Sequence, residues 1–539
     1  MKLTGKLLYG FVLFLFLVLA VAPLVFTFLS SFSNEGQFTF KNYEAVFQKD
    51  KLLLLWNSCV IAALIAAIST IIGGVIGWII SKTDVPLSTI FKLAFLLPLF
   101  VSPYYFAVAW KDVFSILGIS GLQGKNGIVL FIHSLCYFPL PMLIIAAAFT
   151  NINRNIIEAG LMTASRVRVL FSLEVPLIKQ AFFSSFILVF ILSISEVAVA
   201  TYFLVPTFAS DIFIQFSAFY NHAGAIASST LLLLICLALL AFEYSYFMKA
   251  PFLSIGTKGN PTNKIQLKTL RIPVMLALLA FWVVVILLPI FGLAYQAFKA
   301  PPEFSQVRQN IIETEGGGET GFYVKRALDL LLPVIPESLL YAAIGASVIC
   351  ILGFVFAYFA QRKSYHFFDA VLLVVFAIPA TVFGIALIKF YNRPVLDSVY
   401  SSFLIIVIAY VGRFTFIASK VMSHAIGKVP FSLEQSAMLA GASPLQRIGK
   451  ILFPLIAEGF FAAFIISFVF CLGEVGTTIV VYPPGSSLLP IKIATAMHST
   501  PEGLMSGMVF VALMITLAAL TLLFAGYSFI SKNKSWKQA

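Results

Sequence analysis

Two stretches of the sequence repeat each other and decide how the chain is organised. The first reads Glu-Ala-Gly-Leu-Met-Thr-Ala-Ser at 158–165 and continues to Val-Pro-Leu-Ile at 175–178. The second reads Glu-Gln-Ser-Ala-Met-Leu-Ala-Gly-Ala-Ser at 434–443 and continues to Phe-Pro-Leu-Ile at 453–456. An offset of 278 residues places Pro176 on Pro454. A long constant offset predicts a duplicated structural unit.

The composition around these stretches is that of a membrane protein. The chain has 539 residues, of which 60% are hydrophobic and 11% charged, and its mean hydropathy is +1.01. Apolar runs of about 20 residues are long enough to cross a bilayer as helices. Twelve such runs are predicted as spans, at 8–29, 57–80, 89–110, 127–149, 181–205, 225–247, 272–296, 338–360, 366–390, 400–420, 460–482 and 506–530. They are continuous rather than alternating, which argues against a transmembrane barrel.

The distribution of charge predicts the orientation. With both termini in the cytoplasm, the inner segments hold 22 lysine and arginine residues and 7 acidic ones, and the outer segments hold 12 and 13. This excess of positive charge inside is typical of the inner surface of a membrane protein. The net charge of +13 is therefore explained by topology, and no nucleic-acid partner is expected.

The spans divide into two sets of six. Further repeated residues support the division: Phe182 with Phe460, Glu196 with Glu474 and Pro206 with Pro484 at an offset of 278, Gly73 with Gly353 at 280, and Pro23 with Pro289 at 266. Since each half has an even number of spans, both cross the membrane in the same sense, as a parallel repeat. The sequence thus predicts an all-α polytopic membrane protein of about twelve transmembrane helices. Its permease-like halves are 1–250 and 272–539, joined by a cytoplasmic linker at 251–271.

Metal and disulfide chemistry find little support in the sequence. Cys59, Cys136, Cys236, Cys350 and Cys471 all fall within apolar runs and form no CxxC pair, which favours a packing role. His133, His366 and His424 lack the spacing of metal ligands, and no functional role is predicted for them. We expect neither a metal site nor a cofactor on this chain.

The repeated loops resemble the "EAA" loop of permease subunits of ABC importers, in which a Glu-Ala-Ala is followed by a Gly and, thirteen residues later, by the Pro of a Leu-Pro. Gly441 and Pro454 have this spacing, whereas Thr163 replaces the Gly in the first loop. Counted from the Gly, the family's Glu falls on Gln435 and on Ile157, so that Glu434 lies one residue early and Glu158 one residue late.

The fused, duplicated arrangement is similar to that of ferric-iron permeases, with thiamine and phosphonate permeases as near relatives. The resemblance implies the type I importer fold, a bacterial inner-membrane location, two ATPase subunits, and a solute-binding protein outside. A short helix projecting from the bundle suits docking into a partner's groove. The loop residues to which the resemblance assigns coupling are Glu158, Ala159, Thr163, Ala164, Pro176, Glu434, Gln435, Ala437, Gly441, Ala442 and Pro454.

ATP hydrolysis is expected on a separate chain. A phosphate-binding loop needs Gly-x-x-x-x-Gly-Lys-[Ser/Thr], and the nearest stretch, 121–126, lacks this spacing and the hydroxyl. The chain itself is therefore not expected to be an enzyme.

Three charged residues within predicted spans are candidates for a translocation path: Glu196, Glu474 and Arg413. Carboxylates in a span face protein or a water-filled cavity by default, and a matched pair could flank one pathway for a cationic solute. The alternative is that each glutamate caps a neighbouring helix. Arg413 could neutralise an acid, Glu474 being one possibility. His222 and His498 are candidate contacts on the outer face, although packing at the interface explains them equally simply.

Two other functions compete with an ATP-driven importer. A secondary transporter with six plus six spans could couple through Glu196 and Glu474, but it would not need matching cytoplasmic loops. A membrane-embedded enzyme would need a cluster of His, Asp and Glu residues, which the sequence does not repeat.

Overall fold

Helices form nearly all of the regular structure, as expected for the all-α polytopic class, which is confirmed. The computed structural model describes residues 2–34, 37–44, 46–243, 245, 264–299, 321–363, 367–497 and 499–535. Within these ranges, Ser33–Asn34 and Gln37–Phe38 form a two-stranded antiparallel ladder.

Between eight and twelve spans are present in the described residues, depending on how bent helices are counted. The continuous ones are Tyr9–Ser30, Lys49–Lys82, His222–Glu243, Lys268–Phe298, Ile335–Lys363, Leu404–Lys428, Pro444–Gly473 and Glu502–Leu523. The bent pairs are Ser88–Phe100 with Pro103–Ile116, Asn126–Tyr137 with Pro139–Thr150, Arg166–Leu177 with Lys179–Ser195, and Asp369–Ala377 with Ala380–Tyr391.

Shorter helices connect the spans. They are Lys41–Glu44, Arg154–Thr163, Ala198–Tyr202, Phe208–Ser217, Phe322–Leu331, Asp397–Tyr400, Phe431–Leu439, Thr478–Val481 and Leu489–Thr495. Helix Glu502–Ser535 extends beyond its apolar part to the last described residue.

Four predicted spans differ from the structure. The runs at 89–110 and 366–390 are not single straight helices, because each turns through about a right angle, 99° in the first and 100° in the second. Prolines at the turns, Pro103 and Pro379, remove a backbone donor and disfavour helical geometry in the preceding residue. The runs at 181–205 and 460–482 end early, at Ser195 and Gly473.

Four prolines determine where the helices widen. Pro23, Pro176, Pro289 and Pro454 each follow a five-residue π-helical turn at the same distance. These turns are Leu17–Val21, Leu170–Glu174, Val283–Leu287 and Ile448–Leu452. A proline clashes with the carbonyl four residues earlier, and a wider turn relieves the clash. The turns repeat at offsets of 266 and 278, which supports the duplication.

The chain forms two compact units, Lys41–Gln296 and Met1–Phe40 with Ala297–Ala539. Their boundaries differ from those of the sequence halves, 1–250 and 272–539. The first span belongs to the unit built from the second half, and most of the seventh span belongs to the unit built from the first half. The sequence halves therefore remain a prediction about the repeat, since compactness divides the chain elsewhere.

The unit Lys41–Gln296 is centred on the second span, Lys49–Lys82. This helix packs against Pro139–Thr150 and Lys179–Ser195. Gly73 lies so close to the fourth span that an added Cβ would stand 2.5 Å from the Phe138 carbonyl oxygen, so small residues here serve close helix packing.

The other unit repeats this centre. Ile335–Lys363 packs against Leu404–Lys428 and Phe453–Gly473. An added Cβ on Gly353, the repeat partner of Gly73, would lie 3.0 Å from Ala418 Cβ. The first span completes this unit, with Phe16 in an edge-to-face contact with Phe356 at 5.6 Å between ring centroids.

A matched pair of serines joins the outer ends of these centres to short helices. Ser58 Oγ accepts a hydrogen bond from the Phe208 amide at 2.8 Å, and Ser338 Oγ accepts one from the Leu489 amide at 2.8 Å. Each hydroxyl also donates to the carbonyl four residues earlier in its own helix. The serines therefore satisfy amides at helix starts, where no intrahelical acceptor exists.

We predict that Ser338→Ala lowers the free energy of unfolding by about 1–3 kcal/mol, because the buried Leu489 amide loses its acceptor. Thermal unfolding in detergent measures the change. Ser347→Ala is the matched control, since Ser347 is exposed on the same helix and bonds only its own helix's Ala343 carbonyl among the contacts described. Equal midpoints for the two variants would contradict the prediction.

Candidate functional site

The two repeated loops have the same construction in the structure. The first loop, 153–178, contains the loop helix Arg154–Thr163, a short helix Arg166–Val169, and the π-helical turn before Pro176. The second loop, 430–456, contains the loop helix Phe431–Leu439, a short helix Pro444–Arg447, and the π-helical turn before Pro454. Each loop therefore presents one short helix before it enters the next span.

The loop helices correspond at an offset of 277 residues, one fewer than the prolines. Their extended N-cap residues are Asn153 and Pro430. The single buried residue of each loop helix is Ile157 in the first and Glu434 in the second. This register aligns the exposed Glu158 with the exposed Gln435, the position of the family's Glu. It explains why the acids fit the pattern imperfectly in the sequence.

Gly441 supplies the additional residue of the second loop. Its φ of +82° lies in the left-handed region, which glycine adopts without a Cβ clash. The Ala442 amide then donates to the Ala437 carbonyl at 2.9 Å and closes the helix end. In the first loop, Thr163 stays helical and Ala164 is extended, so the chain leaves the helix without a left-handed residue.

Most residues predicted for coupling lie at the surface of their loops. Exposed are Glu158, Ala159, Thr163, Pro176, Gln435, Gly441 and Pro454, and partly buried are Ala164, Ala437 and Ala442. Glu158 forms an ion pair with Arg154 at 2.6 Å, one helical turn away. The arrangement leaves one face of each loop helix available to a partner.

Glu434 departs from this group because its side chain is 0% exposed. Its carboxylate accepts hydrogen bonds from Arg362 Nε at 2.7 Å and from the Tyr358 hydroxyl at 3.1 Å. The same guanidinium donates to the Val429 carbonyl at 3.0 Å and lies over the Phe431 ring. A charge-assisted network of this kind fixes the loop helix to the end of the eighth span.

The first loop has a buried ion pair too. Lys82 Nζ lies 3.7 Å from Glu174 Oε2, and both side chains are 1% exposed. Lys82 also lies over the Phe149 ring at 6.0 Å. Ile157 belongs to an adjoining apolar cluster with Phe149 and Val169. Apolar contacts thus fix the first loop helix where charges fix the second.

Large apolar side chains protrude from both loops. Met162 is 87% exposed and Leu439 is 88% exposed, and the two correspond in the register of the loop helices. Val167 and Leu445, which correspond at 278, are also exposed. Repeated exposure of this kind marks a surface that binds another protein.

Glu196 lies at a break in its predicted span. Its carboxylate accepts hydrogen bonds from the Ala198 and Val199 amides at 2.8 and 3.0 Å, and lies 3.0 Å from His133 Nε2. The glutamate therefore caps the short helix Ala198–Tyr202 and has a buried histidine as its neighbour. The histidine spacing predicted no role for His133, although an offset of 280 from Arg413 could have indicated it.

Glu474 caps the corresponding break of the second half by accepting from the Thr477 amide at 2.8 Å. Arg413 donates to the carbonyls of Phe376 and Ile378 at 3.3 and 2.7 Å. These carbonyls lie at the right-angle bend of the ninth span, so the described hydrogen bonds of Arg413 stabilise that bend. Capping accounts for the contacts of both glutamates, and their place on a translocation path remains a prediction.

The outer-face candidates are only partly described. His222 begins the helix His222–Glu243 and contacts the Phe216 ring at 4.8 Å between centroids. His498 lies outside the described residues. Among the described residues, no group of three or more His, Cys, Asp or Glu side chains is placed to hold a metal ion.

Comparison with known proteins assigns the family. Residues 349–535 match the family described as "Binding-protein-dependent transport system inner membrane component". The ferric transport system permease protein FbpB of Actinobacillus pleuropneumoniae is 23% identical over 497 residues, 86% of this chain and 69% of that protein. The Fe(3+)-transport system permease protein FbpB 2 of Haemophilus influenzae is 22% identical over 416 residues, 76% of this chain and 77% of that protein.

A shorter similarity extends to another transport system. A protein of Salmonella typhimurium named as a 2-aminoethylphosphonate transport system permease is 28% identical over 184 residues, which cover 33% of this chain and 66% of that protein.

The helices, the repeated loops and the family match together define a polytopic transport permease. The chain belongs to the binding-protein-dependent transport system inner membrane components, with residues 349–535 as the matched domain. This domain contains the second loop from Glu434 to Pro454. The resemblance inferred from the loops is therefore confirmed.

We predict that Gly441→Ala weakens the end of the second loop helix, because a left-handed residue with a Cβ costs about 1–2 kcal/mol. The Ala442 amide should then exchange hydrogen roughly five- to thirtyfold faster, as measured by hydrogen–deuterium exchange. Gly449→Ala is the control, because Gly449 lies in the same loop with open space around it and no positive φ. Identical exchange in both variants would refute the strain argument.

Proposed function

We propose that this chain is the membrane permease of an ATP-driven importer, in which two ATPase subunits bind the two loops from the cytoplasm. The single observation that carries the proposal is the matched construction of these loops, with Met162 and Leu439 protruding at equivalent positions. Exposed apolar side chains on a rigid helix are the contacts that dominate protein–protein binding. Two equivalent sites suit two copies of one partner.

ATP hydrolysis is assigned to the partner subunits. Binding and hydrolysis of ATP would move these subunits, and the loops would transmit the movement to the spans. The permease would then alternate between states open to either side of the membrane, with both termini in the cytoplasm. Uptake that proceeds without ATP and follows an ion gradient would favour the secondary-transporter alternative.

A solute-binding protein is proposed to deliver the substrate to the outer face. The family description itself refers to binding-protein-dependent transport. Ferric iron is the proposed substrate, because relatives that cover most of the chain are named as ferric transport permeases. A phosphonate or another small solute is the second candidate, on the basis of the shorter similarity.

The charges at the span breaks favour a cationic substrate. Glu196 is 14% exposed and retains a buried histidine beside it, and Glu474 is partly exposed at the equivalent break. Carboxylate oxygens suit a hard cation such as ferric iron. We assign these groups to transient contacts with the substrate as it passes.

We predict that the double variant Met162→Asp, Leu439→Asp reduces co-purification of the ATPase subunit by about tenfold or more, because a charge replaces a buried apolar contact. The ratio of ATPase to permease after affinity purification measures the effect. Val395→Asp is the matched control, since Val395 is 89% exposed but lies on the predicted outer face. An unchanged ratio in the double variant would rule out docking through these residues.

We predict that Glu196→Gln, Glu474→Gln lowers ferric-iron uptake by about tenfold or more, since each glutamine keeps one oxygen for capping but loses the charge. Uptake is measured in vesicles that contain the permease, the ATPase and ATP, with the binding protein outside. Glu458→Gln is the control, because Glu458 is exposed on the eleventh span. Wild-type uptake by the double variant would exclude the path, and saturable uptake without binding protein would exclude its proposed role.

A further inference from the structure

One cation in each half occupies the same place in the repeat. Lys82 and Arg362 are separated by 280 residues, the offset that relates Gly73 to Gly353. Each lies in the last turn of the central helix of its unit. Each is also paired with a buried carboxylate from the loop of the same half, Glu174 for Lys82 and Glu434 for Arg362.

The two carboxylates come from different places in their loops. Glu434 belongs to the loop helix, where the first loop has Ile157. Glu174 belongs to the π-helical turn before the proline, where the second loop has the buried Leu452. Each loop therefore has two buried positions, one acidic and one apolar, and the halves exchange them.

A third position changes together with these two. Tyr358 donates its hydroxyl to Glu434 in the second half. Its repeat partner at 280, Trp78, instead packs against the apolar cluster that contains Ile157. The side chain from the span thus matches the residue it meets, polar against the acid and apolar against the isoleucine.

We propose that the two ion pairs are one device, a buried lock that joins each loop to the preceding central span, and that the cation accepts its carboxylate from either of the two buried positions. Lys82 and Arg362 are then positioning residues, which carry a movement of the loop into the span. This consequence for transport rests on the proposed function, whereas the exchange of positions is a property of the chain alone.

Burial explains why the acid is kept when its position changes. A buried cation left without its partner costs several kcal/mol, because its charge has lost both water and counterion. A sequence that loses the acid at one position must therefore regain it at another within reach of the cation. The presence of exactly one acid at the two buried positions of each loop satisfies this requirement in both halves.

The exchange also makes the two loops mechanically different. In the second half the lock holds the loop helix itself, through Arg362 and Tyr358. In the first half the lock holds the base of the fifth span, and the loop helix is kept in place by apolar contacts of Ile157. The second loop is therefore the more directly joined of the two.

The test moves the acid within the second loop. The relocated variant is Tyr358→Phe, Glu434→Ile, Leu452→Glu, which reproduces the first-half arrangement around Arg362. The unlocked variant is Tyr358→Phe, Arg362→Met, Glu434→Ile, which removes both charges and leaves no unpaired ion. The single variant Glu434→Ile leaves Arg362 unpaired and serves as the destabilised reference.

Thermal unfolding in detergent tests the lock independently of transport. The relocated variant should unfold near the wild-type temperature and well above Glu434→Ile. Unfolding of the relocated variant as low as the single variant would overturn the proposal, because the cation would then not accept an acid from the second position. This comparison does not depend on whether the unlocked variant folds.

Reconstituted transport tests the positioning role. The unlocked variant should retain the ATPase subunit on purification and hydrolyse ATP, while solute taken up per ATP falls by about tenfold. The relocated variant should restore most of this ratio. A wild-type ratio in the unlocked variant would overturn the positioning role. Failure of the wild-type chain to bind any ATPase would instead defeat the proposed function and leave the unfolding result unaffected.

Discussion

An apolar surrounding tolerates no unpaired backbone amide, and the irregular parts of this protein all satisfy that constraint. At a helix break the freed N–H groups must find an acceptor, because lipid offers none. Glu196 provides one for the Ala198 and Val199 amides, Glu474 for the Thr477 amide, and Ser338 for the Leu489 amide. The polar residues within the spans are therefore placed where the backbone is interrupted.

The same constraint separates what the sequence predicts well from what it does not. Apolar runs indicated which segments lie in the membrane, since hydropathy reports burial in lipid. They did not indicate the bends of about 100° near Pro103 and Pro379, because hydropathy carries no information about direction. The π-helical turns could have been predicted, because the prolines that cause them repeat at the same offsets as the loops.

The loops were found from the repeat, but the direction of their side chains was not. A helix turns about 100° per residue, so a shift of one residue moves Glu434 from the surface to the interior. The left-handed Gly441 produces that shift, and its φ cannot be read from residue identity alone. Lys82 and Arg362 carried a usable signal, because they share an offset with other repeated residues, yet pairing with acids from different positions hid their relationship.

The placement of the first span has a consequence for the order in which the protein is built. Phe16 finds its neighbour in Phe356, which is synthesised 340 residues later. At about 5–20 residues per second this delay lasts roughly 17 to 70 seconds. During that time the first span must remain in the bilayer with lipid in place of its final neighbours, and its mean hydropathy of 2.9 suits it to do so. Biogenesis of the amino-terminal end is thus completed only when ribosomes have passed the middle of the message.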